Sequence, residues 1–336
     1  MTIGDVAAQA GVSIATVSKV INGRYGVAPA TLERVQAVID ELGYESSLVA
    51  RSLRSRRTNV LGIVVADIEP FSAELLKGAG AAIRERGYEL IVYSGSGHGK
   101  DHSGWERRYI SRLGGTLTDG IILVTPTVVD VDDSTPLVAI DPHTGPSSLP
   151  SIHGDNLAGA ITATEHLLEL GHRRIGFLAG RPDLESARLR EQGYRQALAA
   201  AGIEFDPGLV LVGGYIAESA ERPARQLIEM DPPPTAIFAA NDLSAIETVE
   251  VAHSLGLRVP DDLSVVGFDN VPESALNDPP LTTIDQSIQQ MGFEAVRLLI
   301  AAIDDPDGPA VHVTLPTELV VRQSTRALAE SEAGRR

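Results

Sequence analysis

The hydrophobic period of this chain changes once, near Val60, and that change restricts the fold more than any other feature. Before it, apolar residues recur at helical spacing over three short stretches. After it, short continuous apolar runs alternate with longer amphipathic stretches. The first pattern specifies a small helical domain, and the second specifies parallel strands connected by helices.

In the first part, Thr2 with Asp5 three positions on makes a loose capping box, and Ile3, Val6, Ala7 and Ala10 fall on one face. Gly11 breaks that helix, Ser13 caps the next, and Val17, Val20 and Ile21 form its apolar stripe. Pro29 opens a third helix through Leu32, Val35, Val38, Ile39 and Leu42, stopped by Gly43. Helix, tight glycine turn, helix is a helix-turn-helix layout, with the third helix completing its core.

From Val60 onward, strands are predicted at 61–65, 90–93, 120–124, 137–140, 174–178, 209–212, 235–239, 263–268 and 311–315. Helices are predicted over 71–86 and 183–201, with others ending at Gly171 and Gly256. Strand–helix units on both sides of about residue 155 predict two similar lobes. Ligands of such sheets bind beyond the carboxyl ends of the strands.

The net charge of −17 argues against nucleic acid until it is divided. Residues 1–58 carry net +2 and the rest net −19, and four of the first part's seven basic groups lie between Arg51 and Arg57. The asymmetry points to a nucleic-acid module on an acidic body, against the alternative of a solvated charge run. Hydrophobic residues make up 43%, enough to fill real cores and exclude a disordered chain. No apolar stretch approaches the roughly 18 residues of a membrane span. The N-terminus lacks a basic region followed by an apolar run, so a cytoplasmic protein without membrane association is expected. The absence of cysteine excludes a disulfide scaffold, a thiol nucleophile and a cysteine-ligated zinc finger.

Catalytic signals fail in detail. Gly95-Ser96-Gly97-His98-Gly99-Lys100 suggests a phosphate loop, but Ser94 stands in place of the first glycine and Asp101 in place of the magnesium hydroxyl. His98 and His102 have metal spacing but lie among glycines, where solvated loop histidines are the plainer reading. Asp130, Asp132 and Asp133 lack the glycine and terminal Glu of a calcium loop. No nucleophile elbow occurs. A binding protein without cofactor or metal is expected, not an enzyme.

Several spaced motifs then occur in order: Thr2-Ile3-Gly4-Asp5-Val6-Ala7, Ala10-Gly11-Val12-Ser13, Thr16-Val17-Ser18-Lys19-Val20-Ile21-Asn22, Leu42-Gly43-Tyr44 and Ala50-Arg51-Ser52-Leu53-Arg54. Further on come Leu170-Gly171-His172-Arg173-Arg174-Ile175, Ala240-Asn241-Asp242, Val266-Gly267-Phe268-Asp269 and Pro280-Leu281-Thr282-Thr283-Ile284. From about residue 2 to 325 the chain resembles the lactose/galactose repressor family of bacterial transcriptional regulators. The resemblance implies a helix-turn-helix head over 1–45, a hinge helix and linker over 46–58, and an α/β effector and dimerisation domain over 59–330. That domain would be a two-lobed, type I periplasmic-binding-protein-like clamshell. Its first lobe would comprise about 59–153 and 286–310, its second about 154–284 and 311–325.

By the same resemblance, the helix opening at Ser13 lies in the major groove of operator DNA. Ile14 and Ala15 would offer apolar contact to base edges, and Lys19 would donate either to guanine or to a phosphate. Thr2, Ser13, Thr16, Ser18, Asn22, Thr31 and Tyr44 carry small donors that position a protein on phosphates, with helix capping the alternative for Ser13 and Thr16. Leu53 matches a leucine that wedges into a central base step, or else packs against its twin, and Ala50 lets paired hinges approach. Two departures stand out. Ser46-Ser47-Leu48 replaces the family's usual Pro-Asn at the hinge start, and Ala28 stands where a capping hydroxyl is common.

Asp67, Phe71, Asp141, Asn241 and Asp269 follow predicted strands, Arg190 lies on the helix after 174–178, and Gln286 matches a position lining the cleft. Asp, Asn and Arg together grip vicinal hydroxyls. Phe71 and Tyr215 would stack on a sugar ring, with core packing the alternative. For Arg190, pairing with Glu191 or Asp183 is the structural alternative. Between the first strand and its helix, Glu69-Pro70-Phe71-Ser72 is one residue short and lacks the family's asparagine and second aromatic. A ligand-responsive repressor released by a small sugar or oligosaccharide is therefore expected. A purine- or nucleoside-dependent repressor and a sugar-binding transport component are the alternatives. The C-terminal stretch Ala327–Arg336 has Leu328 as its one large apolar residue, so a homodimer is expected in place of a tetramer.

Overall fold

Among the described residues, three helices make up the first unit. Thr2 Oγ1 accepts from the Asp5 amide (3.4 Å) and Asp5 Oδ2 accepts from the Thr2 amide (2.7 Å), fixing the start of α1 (Ile3–Ala10). Gly11 closes α1 in the left-handed region. Ser13 Oγ accepts from the Thr16 amide (3.1 Å) at the start of α2 (Ile14–Ile21). α3 (Pro29–Leu42) follows Ala28 without a side-chain cap. Val6, Ala7, Ala10, Val17, Val20, Val35 and Val38 form the core along the predicted stripes, except that Leu32, expected in the third, is 44% exposed. The computed structural model describes residues 2–21, 25–43, 57–84, 86–95, 104–114, 117–127, 135–143 and 148–328. Asn22, Tyr44, Ala50, Leu53, the histidine pair His98/His102 and the aspartates at 130–133 lie outside these residues.

Residues Asn59–Arg336 form a second compact unit with two lobes. A six-stranded parallel sheet in the order β11-β5-β4-β3-β1-β2 organises the first lobe. Its strands are β1 (Val60–Val65), β2 (Glu89–Ser94), β3 (Gly120–Val124), β4 (Leu137–Ile140), β5 (Ser151–Gly154) and β11 (His312–Leu315). Helices α4 (Pro70–Ile83), α5 (Glu106–Leu113) and α11 (Ile288–Asp304) belong to this lobe. β1, β3 and β4 are buried along their whole length, which explains their continuous apolar runs. Gly78 on α4 lies against the Gln289 backbone, and Gly292 on α11 against that of Leu75. A β-carbon at either site would collide with main chain, so the two glycines set how closely these helices approach.

The second lobe has a four-stranded parallel sheet, β7-β6-β8-β9. It comprises β6 (Ile175–Ala179), β7 (Val210–Val212), β8 (Ala236–Ala239) and β9 (Ser264–Val266). With them go α6 (Asn156–Glu169), α7 (Glu185–Ala200), α8 (Ala217–Ile228), α9 (Asp242–Ser254) and the short α10 (Pro272–Leu276). The chain passes between lobes after β5, after β10 (Thr283–Asp285) and after β11. β10 pairs antiparallel with β12 (Glu318–Val320).

One boundary differs from expectation. The segment 311–315, expected in the second lobe, pairs instead with β5 in the first sheet, Val313 opposite Ile152. The crossing comes only after Leu315. The predicted strand 263–268 pairs in the second sheet only over Ser264–Val266, because Gly267 and Asp269 donate to Thr282 and Ile284 and turn toward β10. The helix expected from 183 begins at Glu185, after an extended Leu184, and the one expected to reach 86 stops at Ile83. No helix among the described residues is long and apolar enough to cross a membrane.

Candidate functional site

The head presents a donor-poor helix face. Ile14 is 54% exposed, Ala15 and Lys19 are exposed beside it, and Thr16 and Ser18 are half-buried. Ser13 Oγ and Thr16 Oγ1 lie 2.9 Å apart and are engaged in the α2 cap, while Thr2 serves the α1 cap. Thr31 sits half-buried in the first turn of α3. The exposed face therefore offers apolar surface at its amino end and one cation a turn further on, a combination suited to a thymine methyl and a guanine edge.

In the body, backbone strain collects at the carboxyl ends of strands. Of seven described non-glycine residues with positive φ, six follow strands: Thr125 after β3, Asp141 after β4, Tyr215 after β7, Asp269 and Asn270 after β9, and Ser287 after β10. Such conformations cost about 1–3 kcal/mol each and gather where side chains must be aimed.

Arg190, on α7, is 4% exposed and organises the centre. Its Nε donates to Asn156 Oδ1 (2.8 Å), and its Nη1 donates to the Ala240 carbonyl and to Asp269 Oδ1 (3.3 Å). The guanidinium lies 3.7 Å from the Phe268 ring centroid and 5.6 Å from that of Tyr215. Gln286, fully buried, donates through Nε2 to Asp269 Oδ1 (2.5 Å). Burial pushes the Asp269 carboxyl well up, Arg190 opposes that rise, and Asp242, Glu69 and Asp141 add to it. Burial also raises Asp141, against the pull of Arg190, His153 and a hydrogen bond from Asn156. Two enclosed polar atoms here lack a well-formed hydrogen bond among the described residues: Gln286 Oε1, and Tyr215 Oη beside Ser186. Gly180 makes room for the Tyr215 ring, since a β-carbon there would overlap it. An open cavity of about 320 Å³ lined by Glu74, Asp269, Asn270, Asp285, Ser287, Ile288, Gln289 and Gln290 adjoins this centre.

The structure thus brings Asp141, Arg190, Tyr215, Asp269 and Gln286 together. The alternative pairing of Arg190 does not occur: Asp183 binds Arg181 and Glu191 binds Arg195. Asn241 is also there, but its side chain is occupied, capping α9 through the Ser244 amide and donating to the Tyr215 carbonyl (both 3.0 Å). Asp67 is exposed and turns back on the Ile68 amide (2.8 Å). Phe71 is half-buried and packs against the first lobe's core, the alternative weighed for it.

The roles of three residues escaped the sequence reading. Asn156, at the start of α6, donates to the Gly154 carbonyl (3.1 Å) while receiving Arg190, so it fixes the guanidinium at the crossing between lobes. The pair Asp155-Asn156 directly after a strand was the available signal. His143, two residues beyond Asp141, carries a carbonyl that accepts from the Glu185 amide (3.1 Å) and Arg188 Nη2 (3.2 Å), joining the first lobe to α7. Burial, helped by Arg181 and Arg188, lowers its imidazole to about 4 despite Asp183. Glu69 caps α4.

Two family models match the chain: "Bacterial regulatory proteins, lacI family" over residues 2–47 and "Periplasmic binding protein-like domain" over 164–325. The HTH-type transcriptional regulator CelR of Thermobifida fusca is 37% identical, with 96% of this chain and 98% of that protein covered. A solved transcriptional regulator CelR–cellobiose complex is 36% identical over 96% of this chain and 99% of that one, at a TM-score of 0.71. The Lac repressor dimer bound to operator and the anti-inducer ONPF is 29% identical over 97% and 99%, at 0.82.

Proposed function

Because the chain belongs to the lacI family and is a ligand-responsive, DNA-binding transcriptional repressor, we propose that its effector is a small sugar or oligosaccharide, cellobiose first. It acts as a dimer on a near-palindromic operator, in the cytoplasm where that DNA lies. The observation that carries the effector reading is the buried Arg190–Asp269–Gln286 cluster, in which Gln286 Oε1 has no hydrogen-bond partner among the described residues. A carboxylate, a planar guanidinium and a spare amide oxygen match the alternating donors and acceptors of vicinal hydroxyls. Tyr215 supplies the nearby aromatic face. The cavity volume sits at the lower end of ligand pockets, about 300–1,000 Å³.

On DNA, Ile14 and Ala15 meet apolar base edges and Lys19 donates to guanine, while Ser13, Thr16, Ser18, Asn22, Thr31, Thr2 and Tyr44 position the head on phosphates. Leu53 wedges the central step and Ala50 permits the hinges to meet. A thermal-shift panel of sugars and nucleosides tests the effector class. Cellobiose at 100 times its dissociation constant should add about 2.7 kcal/mol. Stabilisation by a purine or nucleoside, with none by any sugar, would replace the sugar reading.

A further inference from the structure

The loop after β1 holds an anion of the chain's own at a helix N-terminus. One Glu69 oxygen accepts from the Phe71 amide (2.8 Å), and the other from the Ser72 amide (2.9 Å) and Ser72 Oγ (2.7 Å). These amides open α4, a fourteen-residue helix, and free amides in that position form a ready anion site. Here both are taken. Glu69 also stands within electrostatic reach of Asp269 in the other lobe.

Among the described residues, the rest of the cleft offers an anion little. Of these, Glu74, Asp269 and Asp285 line the cavity and no Lys or Arg does; Lys77 pairs with Glu74 from its exposed side. Nε and Nη1 of Arg190 are engaged by Asn156, Ala240 and Asp269. Gln286 Oε1, fully enclosed and unpartnered among the described residues, can only accept a hydrogen bond. A hydroxyl satisfies it. An ionised phosphate or carboxylate oxygen has no proton to give.

We propose that Glu69 makes this cleft select an uncharged glycoside over an anionic one, by filling the helix amides that a phosphate or carboxylate group would use and adding its charge to that of Asp269. The inference rests on the sugar reading of the cleft. It gives the departure at Glu69-Pro70-Phe71-Ser72 a chemical consequence: phosphorylated sugars are rejected.

The test uses the full chain with cellobiose, cellobiose 6′-phosphate and inorganic phosphate as probes, read by calorimetry and by the single tryptophan, Trp105. The parent should prefer cellobiose to its phosphate. Glu69→Ser, which keeps a capping hydroxyl, should narrow that preference about tenfold or more, the size of a regained charge-assisted hydrogen bond. It should also bind inorganic phosphate more tightly than the parent. Glu69→Gln, which preserves the shape without the charge, should shift the preference in the same direction by less. A folded Glu69→Ser chain, judged by its melting curve, with parental preference and parental phosphate affinity overturns the proposal. If Glu69→Ser does not fold, an unchanged preference in Glu69→Gln overturns it. Should cellobiose fail to bind the parent, the sugar reading falls, and the two chains' affinities for inorganic phosphate still decide the role of Glu69.

Discussion

In the head, the side chains proposed to read bases stand exposed on a helix whose core and amino-terminal cap are already satisfied; in the body, those proposed to grip the effector are buried and bonded to one another. Among the described residues, Ile14, Ala15 and Lys19 belong to neither the core nor a cap, so recognition there is separable from stability. Arg190 touches Asn156, Ala240, Asp269 and two aromatic rings, so any change to it acts on both. The two units should consequently fail in different ways when mutated.

The largest expected effect lies at that buried pair. Arg190→Ala leaves Asp269 without its cation, and breaking a buried ion pair costs about 3–5 kcal/mol. Its melting temperature should fall clearly, together with a tenfold or greater loss of effector affinity. A melting curve superimposed on the parent's would remove Arg190 from the fold and leave it a ligand contact alone.

Acid should separate the units next. All eight histidines lie in the body. His172 is held by Thr235 (2.9 Å), Ser264 (3.1 Å) and the Arg326 carbonyl (3.1 Å), and burial lowers it to about 4. Its folded value lies below the ordinary 6.5, so the fold favours the neutral ring. That stability is complete above pH 6.5 and is lost as pH falls through 4, about 3 kcal/mol for a shift of this size. His143 acts in the same direction. Calorimetric scans from pH 7 to 4 should show the body's transition falling, and falling less steeply in His172→Gln. Equal slopes in the two chains would locate the acid sensitivity elsewhere.

Smaller effects belong to the head. Lys19→Ala should cost operator affinity about 1–3 kcal/mol, with discrimination relaxed at one base position and no change in melting. Uniform loss on operator and random DNA would make Lys19 a phosphate contact. Ala28→Ser should supply the cap that α3 lacks and stabilise the head by about 1 kcal/mol, visible as a raised midpoint in urea. No gain would mean that Pro29 alone already fixes the helix start.

Legibility in the sequence followed the range of the forces involved. The head's helices could be read from caps and stripes because Thr2, Ser13 and Gly11 act within four residues of themselves. β1, β3 and β4 were equally plain, since burial on both faces makes an unbroken apolar run. β5, β10 and β12 passed unseen: each is three or four residues long and exists through a partner far along the chain. β11 was placed in the wrong lobe for the same reason, its partner β5 lying some 160 residues earlier. In the site, Arg190 and Asp269 were legible through their motifs, yet the bond joining them spans 79 residues. Asn156 acts by holding Arg190, and His143 by holding the start of α7 through Glu185 and Arg188, and short-range patterns carry no mark of that.

The central claim is that this cluster senses the effector and that its occupancy releases DNA. A labelled palindromic site selected by the chain from a random pool, bound and then titrated with cellobiose under fluorescence anisotropy, tests it directly. Arg190→Lys keeps a cation opposite Asp269 but loses the planar fork. The parent should release its site as cellobiose is added, and Arg190→Lys should hold the same site until roughly tenfold more sugar is present. Release of both chains at one cellobiose concentration would contradict the account.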